Sequence, residues 1–291
     1  MSDIAIIGGD SMIGAALFAR LSGDGRSVVA TTRQPGRQDG SIFLDLGGDM
    51  APWPALPEGG TWVLCAAMAR LADCRNDEET SRRINADAVG VLADQAARAG
   101  AHLLFLSTDK VFDGMRAHRE ADDTPCPRSV YGQQKTDAEN ILRATDSLSF
   151  GVFRLTKVLA ENDRLLGEWC TKLVGGEEIN PFIDMVMAPV PLATAVDALV
   201  WGIDCRVRGV VQVSGPRDVR YSDVAHHIAV RDDYNLSLIK PVSAIEVGIP
   251  SVEIPPNTTL DTQRLNMDAG IHIPDAWDVI DASIPISARS L

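Results

Sequence analysis

Apolar residues along this chain fall into short unbroken runs, separated by longer stretches with helical spacing. Residues 4–7 are a fully apolar run followed by Gly8-Gly9, which predicts a short strand buried on both faces. Residues 11–21 repeat their apolar positions at helical spacing, so a helix follows directly. A second strand is predicted over 27–32. A third, over 42–46, is entered from a turn rich in Gly and Arg. After a Pro-rich connector, 62–67 reads as a fourth strand. Residues 78–99 form one long helical pattern, stopped by Gly100. Strands at 102–107 and 150–155 flank a helix at 129–145. Beyond residue 157 the pattern loosens, with frequent Pro and Gly, until a further strand at 210–214. Repeated strand–helix–strand order calls for an α/β fold, a doubly wound parallel sheet with helices on both faces. The expected core is 1–157, rejoined by about 193–215, with a smaller C-terminal lobe from 158–192 and 216–291.

Composition narrows the class. With 45% hydrophobic and 23% charged residues, the chain can bury a core and is not disordered. The formal net charge of −13 repels phosphate backbones, which argues against nucleic acid as a partner. Five scattered cysteines, Cys65, Cys74, Cys126, Cys170 and Cys205, give neither a disulfide framework nor a metal site. No stretch reaches the length of a membrane span, and the N-terminus lacks a basic leader, so a cytoplasmic location is expected. His226-His227 do not make a metal pair, because adjacent helical residues face different ways. Trp169, Met185 and Met187 are expected in the core of the lobe.

The turn after the first strand reads Gly8-Gly9-Asp10-Ser11-Met12-Ile13-Gly14. At a strand–helix junction, glycines let backbone approach a pyrophosphate, and the helix N-terminus supplies unpaired N–H groups. The second strand ends Thr31-Thr32-Arg33, with Arg37 nearby and no acidic side chain to bond the ribose of NAD. A guanidinium matches a phosphate, so NADP(H) is expected, with NAD(H) as the alternative. Asp45, after the third strand, could accept a bond from an adenine amino group or cap a turn.

Tyr131-Gly132-Gln133-Gln134-Lys135 places a phenol and an ammonium at i and i+4 on one helix face. A Lys beneath a Tyr would lower the phenol's pKa and equip it for proton transfer to a carbonyl oxygen. Ser107-Thr108-Asp109 ends the fifth strand, and ligands of open α/β sheets sit at such carboxyl ends. Asn85, within the long helix, could anchor a water near Lys135 or bond locally.

Taken together, residues 6–14, Ala66-Ala67, Ile84-Asn85, Ser107-Thr108-Asp109-Lys110-Val111-Phe112-Asp113-Gly114, Tyr131-x-x-x-Lys135 and Phe153-Arg154 carry a family likeness. The sequence resembles the extended short-chain dehydrogenases/reductases, within them the dTDP-4-dehydrorhamnose reductase-like group. The resemblance implies a Rossmann-type core, a substrate-binding lobe and NADPH-dependent reduction of a keto group on a nucleotide-linked sugar. It also implies a catalytic set of Thr108, Tyr131 and Lys135. Cofactor contacts are expected from Gly8, Asp10, Ser11, Met12, Ile13, Gly14, Arg33, Asp45, Leu46, Ala66, Ala67, Asn85, Ser107 and Lys135. The sugar pocket is expected from Thr108, Asp109, Lys110, Val111, Phe112, Tyr131 and Lys157.

Three departures from the family pattern stand out. Ser11 replaces the middle glycine and is tolerable if its backbone keeps a left-handed turn. Lys110 and Lys157 replace aromatics that line the sugar pocket in rhamnose-type reductases. Two lysines cannot form an apolar wall, so either they face an anionic group such as a carboxylate or phosphate, or both point to solvent. An epimerase or dehydratase of the same superfamily is the near rival, although Asp109-Lys110 lacks the acid–base pair of a dehydratase. A non-catalytic NADP-binding regulatory subunit is the rival from another class. The outer helices of the sheet offer faces for pairing into a homodimer.

Overall fold

The computed structural model describes residues 3–37, 40–48 and 53–285. Residues 1–2, 38–39, 49–52 and 286–291, which include the outer ends of the expected core and lobe, lie outside the described residues. In chain order, β1 (Ile4–Ile7) leads through a tight turn into α1 (Met12–Gly23), followed by β2 (Val28–Thr32), β3 (Ile42–Phe43) and β4 (Thr61–Leu64). Next come α2 (Leu71–Asn76) and α3 (Glu78–Arg82), then a π turn over Arg83–Asp87 that runs into α4 (Ala88–Arg98). β5 (His102–Thr108), α5 (Val130–Ala144) and β6 (Ser149–Leu155) complete the first half. The rest comprises β7 (Lys157–Leu159), α6 (Arg164–Val174), β8 (Val186–Met187), β9 (Pro189–Pro191), α7 (Leu192–Asp204) and β10 (Gly209–Val213). β11 (Val219–Arg220), α8 (Tyr221–Arg231) and α9 (Ala276–Ser283) follow.

Seven strands form one sheet in the order β3-β2-β1-β4-β5-β6-β10. Every neighbouring pair is parallel. This is the doubly wound Rossmann-type arrangement, and its cause is visible strand by strand. Along β1, Ile4 and Ile6 pack with Leu17 and Leu21 of α1 and Leu199 of α7 on one face. Ala5 and Ile7 pack with Leu92 and Ala96 of α4 and Leu142 of α5 on the other. Both faces are covered, so the strands are apolar throughout rather than alternating. The lobe has a third core, in which Trp169 and Leu173 of α6 meet Ile228 of α8 and Ile280 of α9. Met187 is buried there as expected, and both it and Met185 also line a cavity.

Local chemistry moves several predicted boundaries. β3 stops after two residues because the Asp45 carboxylate accepts from the Gly47 backbone N–H at 2.9 Å and turns the chain. β4 stops at Leu64, where the N–H groups of Cys65 and Ala66 both donate to the Ile7 carbonyl. The helix expected over 78–99 is interrupted by the π turn, and α2 precedes it without a sequence signal. Its end is as expected: Gly100, at φ +63°, closes it, with Ala101 N–H donating to the Ala96 carbonyl. Among the described residues, no helix is long and apolar enough to cross a membrane. His227 is spent on Asp281 at 2.9 Å and on stacking with Trp277.

Candidate active site

The turn between β1 and α1 is fixed by backbone crowding. Gly8 sits at φ +94°, and a Cβ there would lie 2.6 Å from the Ala66 nitrogen. A Cβ on Gly14 would lie 2.3 Å from the Gly8 carbonyl oxygen. Neither position admits a side chain without displacing backbone. Ser11 caps α1: its hydroxyl donates to the Gly8 carbonyl at 2.8 Å and accepts from Gly14 N–H at 3.0 Å. Its backbone lies at φ −76°, ψ 155°, ordinary extended geometry, so serine is accommodated there without a left-handed turn.

Two cavities open at the carboxyl ends of the strands and share Ser11, Ala67 and Ala69. One, of about 420 Å³, is lined by Gly8, Asp10, Arg33, Asp45, Leu46 and Ala66 among others. The other, of about 460 Å³, takes in Met12, Ile13, Ser107, Thr108, Tyr131 and Lys157. Asp109 and Lys110 also line it, as do Met185, Tyr221, Glu253 and Thr258 from the C-terminal part of the chain. Bare backbone at Gly8, the guanidinium of Arg33 and the adjacency of the two cavities fit a dinucleotide running from β2 to the end of β5. No group of three or more metal-ligating side chains occurs among the described residues.

Thr108 and Tyr131 therefore share a cavity. Tyr131 is held there because Ser129 caps α5, accepting from Gly132 N–H at 3.1 Å. The Thr108 hydroxyl donates to Asp109 at 3.1 Å and accepts from Lys110 N–H at 3.2 Å. The phenol hydroxyl of Tyr131 has no hydrogen-bond partner among the described residues. Its electrostatics differ from expectation: burial, then the Asp109 carboxylate, push this phenol above its ordinary range. Lys135 lines neither cavity. It is buried, with Nζ 3.8 Å from the centre of the Phe105 ring, and burial brings its pKa down to about 7. An ammonium lowering the Tyr131 pKa is thus not what the chain builds, because desolvation acts against the charged form of both groups.

Four other expectations are corrected. Asn85 does not reach either cavity. It is buried in the π turn, where Oδ1 accepts from Met68 N–H and Nδ2 donates to the Met68 carbonyl and to Gln134, each at 2.9 Å. It positions the 66–70 loop, which does line the cavities. Val111 and Phe112 are core: Phe112 packs beneath the guanidinium groups of Arg119 and Arg154, 5.2 and 5.0 Å from its centre. Ser107 lines the cavity, yet its hydroxyl donates to buried Glu139 at 2.6 Å. Lys110 pairs with Asp109 at 2.6 Å, so its charge is already neutralised. Lys157 lines the cavity and has no ion-pair partner among the described residues.

Sequence reasoning missed Glu139 altogether. It lies one further turn along α5 from Lys135, fully buried, and accepts from Arg154 Nε at 3.0 Å and Nη2 at 2.8 Å. Burial pushes its carboxyl up, but bonds from Arg154, Ser107 and Arg143 more than offset this and hold it below its usual range. The only signal was the repeat Tyr131, Lys135, Glu139 at spacing four, on a helix face that otherwise packs inward. Tyr221 was also missed; burial, Asp163 and Asp109 push its hydroxyl up to about 12. Cys65 behaves as expected of core filler, its thiol pushed up to about 12 by burial.

Comparison with known proteins places this geometry. The family model described as RmlD substrate binding domain matches residues 1–284. The chain is 26% identical over 229 residues to a dTDP-4-dehydrorhamnose reductase of Sinorhizobium fredii, covering 74% of this chain and 76% of that one. It is 35% identical over 103 residues to methionine adenosyltransferase 2 subunit beta of Pongo abelii, covering 35% of this chain and 30% of that protein's length. The crystal structure of dTDP-4-dehydrorhamnose reductase from Bacillus anthracis in complex with NADP shares the fold, with TM-score 0.80 and 18% identity over 97% of this chain and 98% of that one. MoeE5 in complex with UDP-glucose and NAD does likewise, with TM-score 0.80 and 22% identity over 99% of both chains.

Proposed function

The chain belongs to the RmlD substrate binding domain family, and on that premise we propose that it reduces a keto group on a nucleotide-activated sugar, using NADP(H) in preference to NAD(H). The observation that carries this reading is the shared cavity of Thr108 and Tyr131, which has Ser11, Ala67 and Ala69 in common with the adjacent cavity of Gly8 and Arg33. A dTDP-4-dehydrorhamnose reductase is among the chain's relatives, and a reductase of the same fold carries NADP.

A bound nicotinamide supplies the hydride. Tyr131 supplies the proton: a phenol pushed above its ordinary range is fully protonated at neutral pH and can donate to a carbonyl oxygen. Thr108, by rotating its hydroxyl from Asp109, donates to the same oxygen. Lys135, one turn along the same helix, is buried against the Phe105 ring outside both cavities, so in this arrangement the proton comes from the Tyr131 phenol without help from a neighbouring ammonium. Residues 1–157 with 193–215 carry the coenzyme, and 158–192 with 216–291 supply the substrate side through Met185, Tyr221, Glu253 and Thr258. Because Asp109 neutralises Lys110, recognition of an anionic group on the substrate falls to Lys157.

The test is net coenzyme consumption with dTDP- and UDP-linked 4-keto-6-deoxy sugars. A reductase oxidises one NADPH per product formed, whereas an epimerase of the same family returns the hydride and consumes none. Lys157→Met should raise KM for the sugar at least about tenfold and leave coenzyme binding unchanged. A second reading, a coenzyme-binding subunit of another enzyme, is favoured by the 35% identity to the methionine adenosyltransferase subunit. Tight NADPH binding without turnover of any keto sugar would select it.

A further inference from the structure

At the carboxyl end of β2, sequence order offers Arg33 and no acid. The fold supplies one from another element. Asp10, in the turn after β1, reaches across so that Oδ2 accepts from the Thr32 hydroxyl at 2.7 Å and from Arg33 N–H at 3.1 Å. Its Oδ1 accepts from Arg37 Nη1 at 2.8 Å. Three donors on both oxygens fix the carboxylate in place. A carboxylate offers about four acceptor positions, so one remains, and Asp10 lines the same cavity as Gly8, Arg33 and Asp45. The guanidinium of Arg33 lines that cavity with no ion-pair partner among the described residues.

The two side chains make opposite demands. A carboxylate at the end of the second strand of such a sheet accepts a ribose hydroxyl, and an arginine there accommodates a 2′-phosphate. A phosphate brought beside a fixed carboxylate meets like charge, which costs free energy. It also finds Arg37 already engaged by Asp10. We infer that Asp10 is a specificity-determining residue that holds down the preference for a 2′-phosphorylated adenosine ribose, against Arg33, and so keeps NAD(H) usable. This rests on the proposed coenzyme site. The carboxylate acts in two ways: it repels the phosphate directly, and it withholds Arg37 from it.

Asp10→Asn tests this. The amide oxygen can still accept from Thr32 and Arg33, so the turn keeps those bonds while the negative charge and its ion pair with Arg37 are lost. Titration of protein fluorescence with NADPH and NADH, without any sugar, reads both affinities. The dissociation constant for NADPH should fall about tenfold or more, a change of about 1.4 kcal/mol or more, with that for NADH changing less than about threefold. Arg33→Ala should move the ratio the other way, weakening NADPH and sparing NADH. 2′-Phospho-ADP-ribose and ADP-ribose should repeat the pattern, which places the effect at the adenosine end. If both coenzymes bind wild type and Asp10→Asn leaves their ratio unchanged, the inference is overturned while the coenzyme site stands. If wild type binds neither, the site itself is misread. Should Asp10→Asn fail to fold, Arg37→Ala decides: a tenfold loss of NADPH would show that Asp10 does not withhold it, and overturn that arm.

Discussion

Strand β5 begins at His102 and ends at Thr108, and its two ends are built on opposite terms. At the start, the His102 ring is fully buried and both nitrogens are used. Nε2 lies 3.0 Å from the Val207 carbonyl, which can only accept, so Nε2 carries the hydrogen and Nδ1 accepts from the Ser149 hydroxyl at 2.8 Å. Burial, with Arg206 adding to it, brings this histidine down to about 4, and it stays neutral. At the other end, the Tyr131 phenol has no hydrogen-bond partner, Lys157 has no ion-pair partner among the described residues, and the Thr108 hydroxyl rests on its own neighbours. Polar groups at the amino end are spent on the fold. Those at the carboxyl end are held in place and left with capacity to spare, which is where chemistry can be done.

The comparison breaks most sharply at Tyr131. Tyr131→Phe removes one unpartnered hydroxyl and should lower kcat about 10²- to 10⁴-fold while the melting temperature hardly moves. A steady-state assay beside a thermal melt checks both, and an equal loss of stability would mean that the hydroxyl belonged to the fold. The support beneath should behave in reverse. Glu139→Ala leaves Arg154 as a buried unpaired cation and should cost about 3–5 kcal/mol of stability, read by urea denaturation. Coenzyme affinity in the protein that remains folded should be little changed. The smallest effect is at the amino end and appears with acid. His102 is lower in the folded chain than its ordinary 6.5, so the unfolded chain binds more protons between about 4 and 6.5. Stability should therefore fall as pH drops through that window. His102→Gln, which can keep both bonds, should flatten the fall in a series of melts at stepped pH.

Much of the fold was legible because its signals are local. The run at residues 4–7, the following glycines, and the helical pattern to Leu21 need only neighbours in sequence, and they became β1, the turn and α1. Thr108 and Tyr131 were legible for the same reason: each sits at a junction that its own flanking residues define. What was missed lies in contacts across the fold. Asp10 reaches the end of β2 over a separation of more than twenty residues, so reading β2 alone found an arginine and no acid. Glu139 gains its role from Arg154 on β6 and Ser107 on β5. Glu253, which lines the cavity, is paired to Arg75 on α2, and neither residue marks the other in sequence. Val111 and Phe112 were misassigned because a motif names residues in a row, while the backbone after β5 leaves Asp109 and Lys110 on the cavity and turns the next two together into the core.

The π turn at Arg83–Asp87 gives the helix two independent phases. Within it, Asn85 meets Met68 and Gln134; after it, Val89, Leu92, Ala93 and Ala96 meet the sheet. One residue in an α-helix is worth about 100° of rotation. The wide turn absorbs that rotation locally, so the extra residue brings the Asn85 amide to the 66–70 loop without turning the apolar stripe that follows away from the sheet. The extra residue works as a gear offset between the wall of the cavity and the floor of the core, and it lets each be seated without disturbing the other.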